Sequence, residues 1–225
     1  HGLTEVTLTA HKLATREYIG YEEDEDSIIP IAGIVRDAIV RRMARTSDAS
    51  ILGTGVAAPF TELEELAGGH TGNTVTTGST TDPFVKAELH TARTNMGQWG
   101  MNPSDLVCFV SQAQYYSLLT DADVTTVDKY GDKATILSGE LGKLWGIPLV
   151  VSDAFEAAGA SAAVGILVNP TNYLIGNHRG LTIEMATDVV AQQRAIVATR
   201  RFGFIAKEAG IAGKASMALI KTAAS

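Results

Sequence analysis

The stretch from Ser27 to Gly55 combines a helical pattern with a defined start and stop, which limits what the rest of the chain can fold into. The acidic run Glu22–Asp26 precedes it and complements the positive N-terminal end of a helix. Ser27, or the last residue of that run, can cap the first turn. Gly53 and Gly55 favour the left-handed backbone that ends many helices. We therefore predict one long helix over residues 27–49.

The predicted helix has one apolar stripe, and Pro30 suits its first turn. The stripe consists of Ile31, Val35, Ala38, Ile39 and Met43. The other faces carry four arginines, which are Arg36, Arg41, Arg42 and Arg45. These side chains form either a solvated helix face or a contact with another subunit, and both interpretations stay open.

Size and composition describe a folded chain. The 225 residues have a mass of 23.7 kDa, 45% are hydrophobic and 19% are charged. Apolar runs stay well below the roughly 18 residues that a membrane-spanning helix requires. The net charge of −7 and the pI near 5.2 exclude a nucleic-acid binder that depends on an overall positive field, although a local basic face is compatible with them. We expect a soluble, cytosolic protein of one large or two small domains.

The first half of the chain predicts a ribbon, the long helix, a loop and a second helix. Val6, Leu8 and Ala10 alternate with polar residues, and the segment Lys12–Ile19 repeats this strand pattern. The Gly-, Thr- and Ser-rich segment 56–82 predicts a long surface loop. Asp82 and Pro83 then predict a helix start. The apolar residues of that second helix are Val85, Leu89, Ala92 and Met96.

The second half predicts strands separated by turns. The run Leu106–Val110 predicts a buried strand, and Ser111 can cap the short helix after it. We predict further strands at Ile147–Ser152, Ala163–Val168, Tyr173–Ile175 and Leu181–Met185, the last two joined by a hairpin-like turn over Gly176–Gly180.

Two stretches near the end allow more than one interpretation. A helix over Asp188–Arg201 is the alternative to a strand over Ala195–Ile205, and the β-branched and aromatic residues favour the strand. The alanine-rich end, residues 210–225, predicts a tail without fixed order.

The sequence lacks the spaced residue groups that most catalytic and metal sites require. None of the five histidines lies three or four residues from another one; they are His1, His11, His70, His90 and His178. Cys108 stands alone within an apolar run, which predicts a buried, inert thiol. The glycine-rich strings match neither a Walker loop nor a dinucleotide fingerprint, and no serine has a nucleophile-elbow motif. We predict no enzyme activity, no cofactor and no metal site.

The order of five segments resembles the major capsid proteins of tailed bacteriophages, which have the Hong Kong 97-type fold. The segments are TLTAHKLATREYI, the long helix ending in ILGTG, NPSDLVCFVSQAQYYSLL, LGKLWGIPLVVSDAF and AVGILVNPTNYLIGNHRGLTIE. The resemblance covers nearly all of the chain, from about Thr4 to about Lys207, and the order and spacing of the segments carry it. It implies an α+β fold with a long spine helix, peripheral and axial subdomains, and an extended β ribbon.

The resemblance also implies a division of the chain. Residues 1–20 would form the return strand of an extended loop, and 131–184 the axial domain. Residues 21–130 and 185–208 would form the peripheral domain with spine helix 27–49, and 209–225 a C-terminal tail. Family members carry an N-terminal arm and an outgoing strand before the return strand. Because this sequence starts at the return strand, we expect a fragment or a missing upstream part.

In function, the resemblance implies a structural, self-assembling shell protein. Copies would form hexamers and pentamers that close into an icosahedral head around packaged double-stranded DNA, assembled in the bacterial cytoplasm and located in the virion capsid. The implied partners are other copies, a portal, a scaffold or maturation protease and a decoration protein, with non-specific contact to DNA and no membrane. We expect subunit contacts at the ribbon Thr4–Ile19, the spine arginines and an axial loop tip at Glu156–Ser161.

Two rival interpretations accompany this one. An encapsulin-type nanocompartment shell shares the fold and differs in its cargo. A small α/β enzyme would need a concave site with a perturbed carboxylate or histidine, which the scattered histidines disfavour.

Overall fold

The computed structural model describes residues 5–26, 31–53, 60–63, 66, 72–78, 80, 85–119, 142–155, 159–208 and 214–224, with only the backbone for residues 24–26 and 119. The described chain forms two compact units. Unit 1 contains residues 1–48 and 174–205, and unit 2 contains residues 49–173 and 206–225. Several predicted features lie outside the described residues: the cap at Ser27, Pro30, Gly55, the helix start at Asp82 and Pro83, and Glu156.

Unit 1 is built from a long helix and a three-stranded sheet in the order β1-β8-β7. The strands are β1 (His11–Gly20), β7 (Tyr173–Asp188) and β8 (Gln193–Ala206). The central strand, β8, pairs antiparallel with β1 over ten residues of each strand, from His11 opposite Phe202 to Gly20 opposite Gln193. A short helix, α1 (Tyr21–Asp26), follows β1 and carries the acidic run.

The long helix, α2, spans Ile31–Leu52 and therefore ends three residues later than predicted. Gly53 follows with a φ of +86°, and its N–H donates to the Ala49 carbonyl, as expected of a glycine at a helix end. The predicted apolar stripe is correct at Ile39 and Met43, which are buried. It is wrong at Ala38, which is exposed because the sheet covers only a narrow part of the helix.

The core of unit 1 lies between α2 and one face of the sheet. Ile39 and Met43 pack with Ile19, Ile196 and Ala198, all of which are buried. Partly buried side chains extend this layer on both sides: Leu13, Ile31, Ala32, Val35 and Ile183. Residues Ile196 and Ala198 alternate along β8, so the strand interpretation of this region is confirmed and the helical alternative is wrong.

The predicted turn between two short strands at Gly176–Gly180 is wrong, because β7 is one continuous strand of 16 residues. Gly176 has a different role. A Cβ atom at this position would overlap the side chain of Leu8, so the missing side chain leaves room for the N-terminal segment.

The N-terminal segment before β1 is not the strand that its alternating pattern predicted. Residues 5–10 have no strand assignment, and they cross over the sheet instead of extending its edge. The Thr9 carbonyl lies so close to Gly203 on β8 that any Cβ atom there would overlap it. The alternation predicts an extended backbone correctly, but it does not specify a hydrogen-bonding partner.

Unit 2 contains a six-stranded mixed sheet in the order β2-β9-β6-β3-β5-β4. Strand β3 is parallel to β5 and antiparallel to β6, whereas β9 is antiparallel to β6 and parallel to β2. The bounds are β2 (Thr74–Thr76), β3 (Val107–Val110), β4 (Lys143–Leu144), β5 (Ile147–Val151), β6 (Ala163–Val168) and β9 (Met217–Lys221). The predicted strands β3, β5 and β6 are confirmed.

Two further helices belong to unit 2. Helix α3 (Lys86–Asn95) buries Leu89 and Ala92 completely, together with Met96 just after its end, which confirms the predicted apolar spacing at these positions. The prediction is wrong at Val85, which is 44% exposed just before the helix. Helix α4 (Gln112–Leu119) starts as predicted, because the Ser111 hydroxyl accepts a hydrogen bond from the Gln114 N–H at 3.3 Å.

The C-terminal end is ordered over β9, so the prediction of a tail without fixed order is wrong. Met217, Leu219 and Ile220 are buried between β2 and β6. The Asn73 side chain donates to the Met217 carbonyl at 2.6 Å and ties this strand to the segment before β2. The alanine-rich composition suggested a tail, but the apolar residues of this segment form the strand between β2 and β6.

The close approach at Gly203 gives a test of the fold of unit 1. We expect Gly203→Ala to lower the free energy of unfolding by about 1–3 kcal/mol, because the new methyl group displaces the Thr9 backbone. Gly180→Ala on β7 is the matched control, since nothing lies within 4 Å of a Cβ there. That variant should be neutral or more stable by up to about 1 kcal/mol. Urea denaturation of both variants measures the difference, and equal stabilities would contradict the crossing of the N-terminal segment.

Candidate functional site

The four arginines that we expected at a solvated helix face or a subunit contact all lie at exposed positions of α2. Arg42 is held within unit 1, because its guanidinium forms an ion pair with Glu17 on β1. Both side chains stay partly accessible to water, 56% for Arg42 and 37% for Glu17, so this pair contributes at most about 1 kcal/mol. It orients α2 on the sheet more than it stabilises the fold.

The other arginines of α2 present their charge to the surface. The Arg41 Nε–H donates to the Asp37 carbonyl one turn earlier, at a long 3.4 Å, and Arg45 is exposed near the end of the helix. Arg36 is exposed and makes no hydrogen bond or ion pair with the described residues. Exposed guanidinium groups of this kind fit carboxylates or phosphates of a partner.

A groove of about 390 Å³ lies within unit 1 between α2 and the strands β7 and β8. Its apolar lining comes from Val40, Met43, Ala44 and Leu181. Arg200 also lines the groove. Its guanidinium donates to the Ser47 hydroxyl at 3.1 Å and to the Asn177 side-chain oxygen at 2.9 Å. The groove can accept an apolar side chain beside a fixed positive charge.

Strand β7 presents an apolar edge that the sequence did not reveal. Leu174, Ile175 and Met185 are 43–54% exposed along this strand. In the turn that follows, Val189 is 76% and Val190 97% exposed. A long edge strand with exposed apolar side chains is a typical protein contact surface. One signal in the sequence could have indicated this surface: Val189 and Val190 are two β-branched residues in a turn, where polar residues are usual.

The buried ionisable groups of unit 2 are held neutral. Burial raises the pKa of the Cys108 thiol to about 12, so the prediction of a buried thiol is confirmed. Burial also raises the pKa of Tyr173 to about 12, and the hydrogen bond from Ser216 partly offsets this. Groups with such pKa values are not poised for acid–base chemistry near neutral pH.

The described histidines are separate from one another. His90 lies on α3 with its ring edge-on to Trp145, the centroids 6.2 Å apart, while His11 and His178 are on strands of unit 1. Within the described ranges, no three His, Cys, Asp or Glu side chains converge to hold a metal ion.

Among the residues placed in the structure, no helix combines the length and the apolar character needed to cross a bilayer.

The chain is similar to a known protein family and to several known proteins. The model of the phage capsid family matches residues 2–210. The major capsid protein of Escherichia phage T5 is 30% identical over 203 residues, which are 88% of this chain and 44% of that protein. The chain therefore spans less than half the length of this curated relative.

Solved structures show the same fold at low sequence identity. The capsid of a native GTA particle, computed with C5 symmetry, aligns with a TM-score of 0.70 and 17% identity over 97% of this chain and 74% of its own. A chain from Mycobacterium phage Adephagia aligns with a TM-score of 0.69 and 13% identity, over 97% and 73%.

The buried thiol provides a test of the unit 2 core. At pH 8 a pKa of about 12 in place of 9.0 lowers the thiolate fraction of Cys108 about a thousandfold, so a thiol reagent should label the native chain far more slowly than the urea-unfolded chain. The Cys108→Ala variant is the control without label. In the unfolded chain the thiol has its ordinary pKa of 9.0, so rising pH ionises it there before it ionises in the native chain. The contribution of the thiol to the free energy of unfolding is therefore complete below about pH 9 and is lost as the pH rises toward 12. Equal labelling rates would show that this core is open.

Proposed function

The chain belongs to the phage capsid family, and from this premise we propose that it is part of a major capsid protein of a tailed phage or prophage. Its fold is the Hong Kong 97-type fold of phage capsids. The family match over residues 2–210 carries the proposal. In this role the copies assemble into hexamers and pentamers of an icosahedral shell around double-stranded DNA.

The surface of unit 1 supports an assembly role. A two-layer unit buries one face of a sheet and one side of a helix, which leaves the remaining surfaces for partners. Here these surfaces carry the β7 edge, the apolar turn at Val189 and Val190, and the exposed arginines of α2. Exposed apolar and guanidinium side chains are typical of surfaces that bind other proteins.

We propose that unit 1 is the peripheral domain and unit 2 the axial domain of the shell subunit. Support comes from the two compact units, because unit 1 holds most of α2, the element expected to be the spine. This assignment moves residues 49–130 and 206–208 from the expected peripheral domain to the axial domain, and residues 174–184 in the opposite direction. The expected tail, residues 209–225, joins the axial domain. Residues 1–20 remain proposed as the return strand of an extended loop.

The further partners follow from the same proposal. We infer that a portal, a scaffold or maturation protease and a decoration protein bind the assembled shell, and that DNA is contacted without sequence specificity. The overall charge of −7 supports weak contact with the enclosed DNA. The proposed location is the virion capsid, after assembly in the bacterial cytoplasm.

The rival functions have less support. An encapsulin-type shell has the same fold, but the relatives found are proteins of phages and of a GTA particle. A small α/β enzyme is not favoured by membership of a capsid family.

Electron microscopy of the complete gene product that contains this sequence tests the proposal. We expect closed shells, or rings of five and six copies, at a concentration where size-exclusion chromatography shows large particles. A single small species at every concentration would contradict the shell function.

The α2 arginines give a more specific prediction. Arg36→Glu combined with Arg41→Glu should reduce shell formation at wild-type concentration without unfolding the subunit, because both side chains are exposed. Arg42→Gln is the matched control on the same helix, since its ion pair with Glu17 lies within the subunit. Particle yield by sedimentation and the circular dichroism of the subunit are the measurements. Normal yield for the double variant would show that these arginines only face solvent.

A further inference from the structure

Many of the acidic residues of unit 1 are concentrated in one segment, apart from its basic residues. Residues 1–48 and 174–205 include ten Lys or Arg and eleven Asp or Glu, so the unit is almost neutral as a whole. Five of the eleven carboxylates lie in the single run Glu22–Asp26. The rest of unit 1 therefore holds ten cations against six carboxylates, and the unit has one acidic end and a basic body.

A group of cations lies on the sheet face opposite α2. Lys12 on β1 stands directly across from Arg201 on β8. Arg16 is on the same face, four residues further along β1, with its guanidinium 5.4 Å from the centre of the Tyr18 ring. We call Lys12, Arg16 and Arg201 the basic strand face, and all three are exposed. Like charges directly opposite each other destabilise a sheet, so this arrangement calls for an acidic partner.

The carboxylates of the same sheet are engaged elsewhere. Glu17 points to the other face and pairs with Arg42 on α2. Glu184 pairs with Arg179 on its own strand at 3.3 Å. Asp188 accepts hydrogen bonds from the Val190 and Ala191 N–H groups in the turn after β7, at 3.0 and 3.1 Å. Among the described residues, Arg201 makes one hydrogen bond through its side chain, a long one of 3.4 Å to the Ala10 carbonyl.

The acidic run is the matching surface, but Lys12 and Arg201 are too far from it within one copy. At about 3.3 Å per residue, Lys12 lies roughly 26 Å along β1 from Gly20, where the strand ends and α1 begins. Glu22 and Glu23 on α1 are exposed. Within the part of the chain that the structure describes, the carboxylate of Glu23 accepts a long 3.4 Å hydrogen bond from the Gly20 N–H and no other.

We propose that the basic strand face of one copy binds the acidic helix α1 of a second copy. The sizes agree, because α1 is about 9 Å long and Lys12 and Arg16 are roughly 13 Å apart along their strand. The two surfaces lie at different places on the subunit, so the contact can repeat head-to-tail from copy to copy, and such contacts form a ring when the rotation between copies closes. The inference rests on the proposed shell function and identifies one contact within it.

The same cations could attract DNA phosphates, which is the competing explanation. The charge pattern favours a second copy, because the unit that carries the basic face also carries a compact acidic segment that would repel DNA. Exchanging the charges separates the two explanations, since only a protein contact can be restored by changing α1.

The experiment uses the complete gene product with substitutions on both surfaces. Lys12→Glu with Arg201→Glu, and separately Glu22→Lys with Glu23→Lys, should each raise the concentration needed for assembly at least about tenfold. Combining all four substitutions in one chain should lower that concentration below that of either pair alone. Lys143→Glu with Lys214→Glu is the control with the same change in net charge, at exposed positions of unit 2.

Light scattering against protein concentration gives the assembly threshold, and circular dichroism confirms that each variant folds. Normal assembly of the Lys12 and Arg201 variant would overturn this inference while leaving the shell function intact. Loss of DNA content alone, with normal shells, would assign the face to DNA. If the variant with all four substitutions assembles no better than either pair, the contact between the two surfaces is overturned. A wild-type protein that never assembles would instead remove the proposed function and this inference with it.

Discussion

The packing of α2 against one face of the three-stranded sheet is the interaction on which unit 1 depends. Ile39 and Met43 from the helix meet Ile196 and Ala198 from the central strand in a single apolar layer. A layer this thin covers little of either element. The remaining sides of α2, the β7 edge and the far face of the sheet stay accessible, although part of that far face is crossed by the N-terminal segment. The same packing that holds the unit together therefore creates the surfaces available for assembly.

These surfaces differ in chemistry, which suits the proposed role of a subunit that binds several copies of itself. The β7 edge and the turn at Val190 are apolar, the α2 side carries arginines, and the far face of the sheet carries Lys12 and Arg201. Apolar contacts supply affinity, whereas charges at the rim of an interface select the partner and the direction of approach. A unit with an acidic end and a basic body favours head-to-tail contacts, and such contacts lead to rings when their rotation closes.

The candidate site was only partly predictable. Helical periodicity places the four arginines on exposed faces of α2, because that pattern depends on neighbouring residues alone. It does not distinguish Arg42, whose partner Glu17 lies on another element, from Arg41, whose contact is with its own helix. The basic strand face was not visible at all in the sequence. Lys12 and Arg201 become neighbours only through the register of β1 with β8, which joins the two ends of the chain.

The sequence by itself determined the long helix, the buried strands β3, β5 and β6, the cap at Ser111 and the capsid family, because caps, periodicity and segment order are local or additive signals. Only the tertiary structure decided that β7 runs through its glycines, that residues 5–10 cross the sheet, and that the C-terminal end forms β9. Each of these depends on contacts with a distant part of the chain, such as the bond between Asn73 and Met217, 144 residues apart. The sequence of an extended or alanine-rich segment does not specify which strand or surface it contacts. That contact depends on where the rest of the fold leaves a strand edge unpaired or a glycine without a side chain.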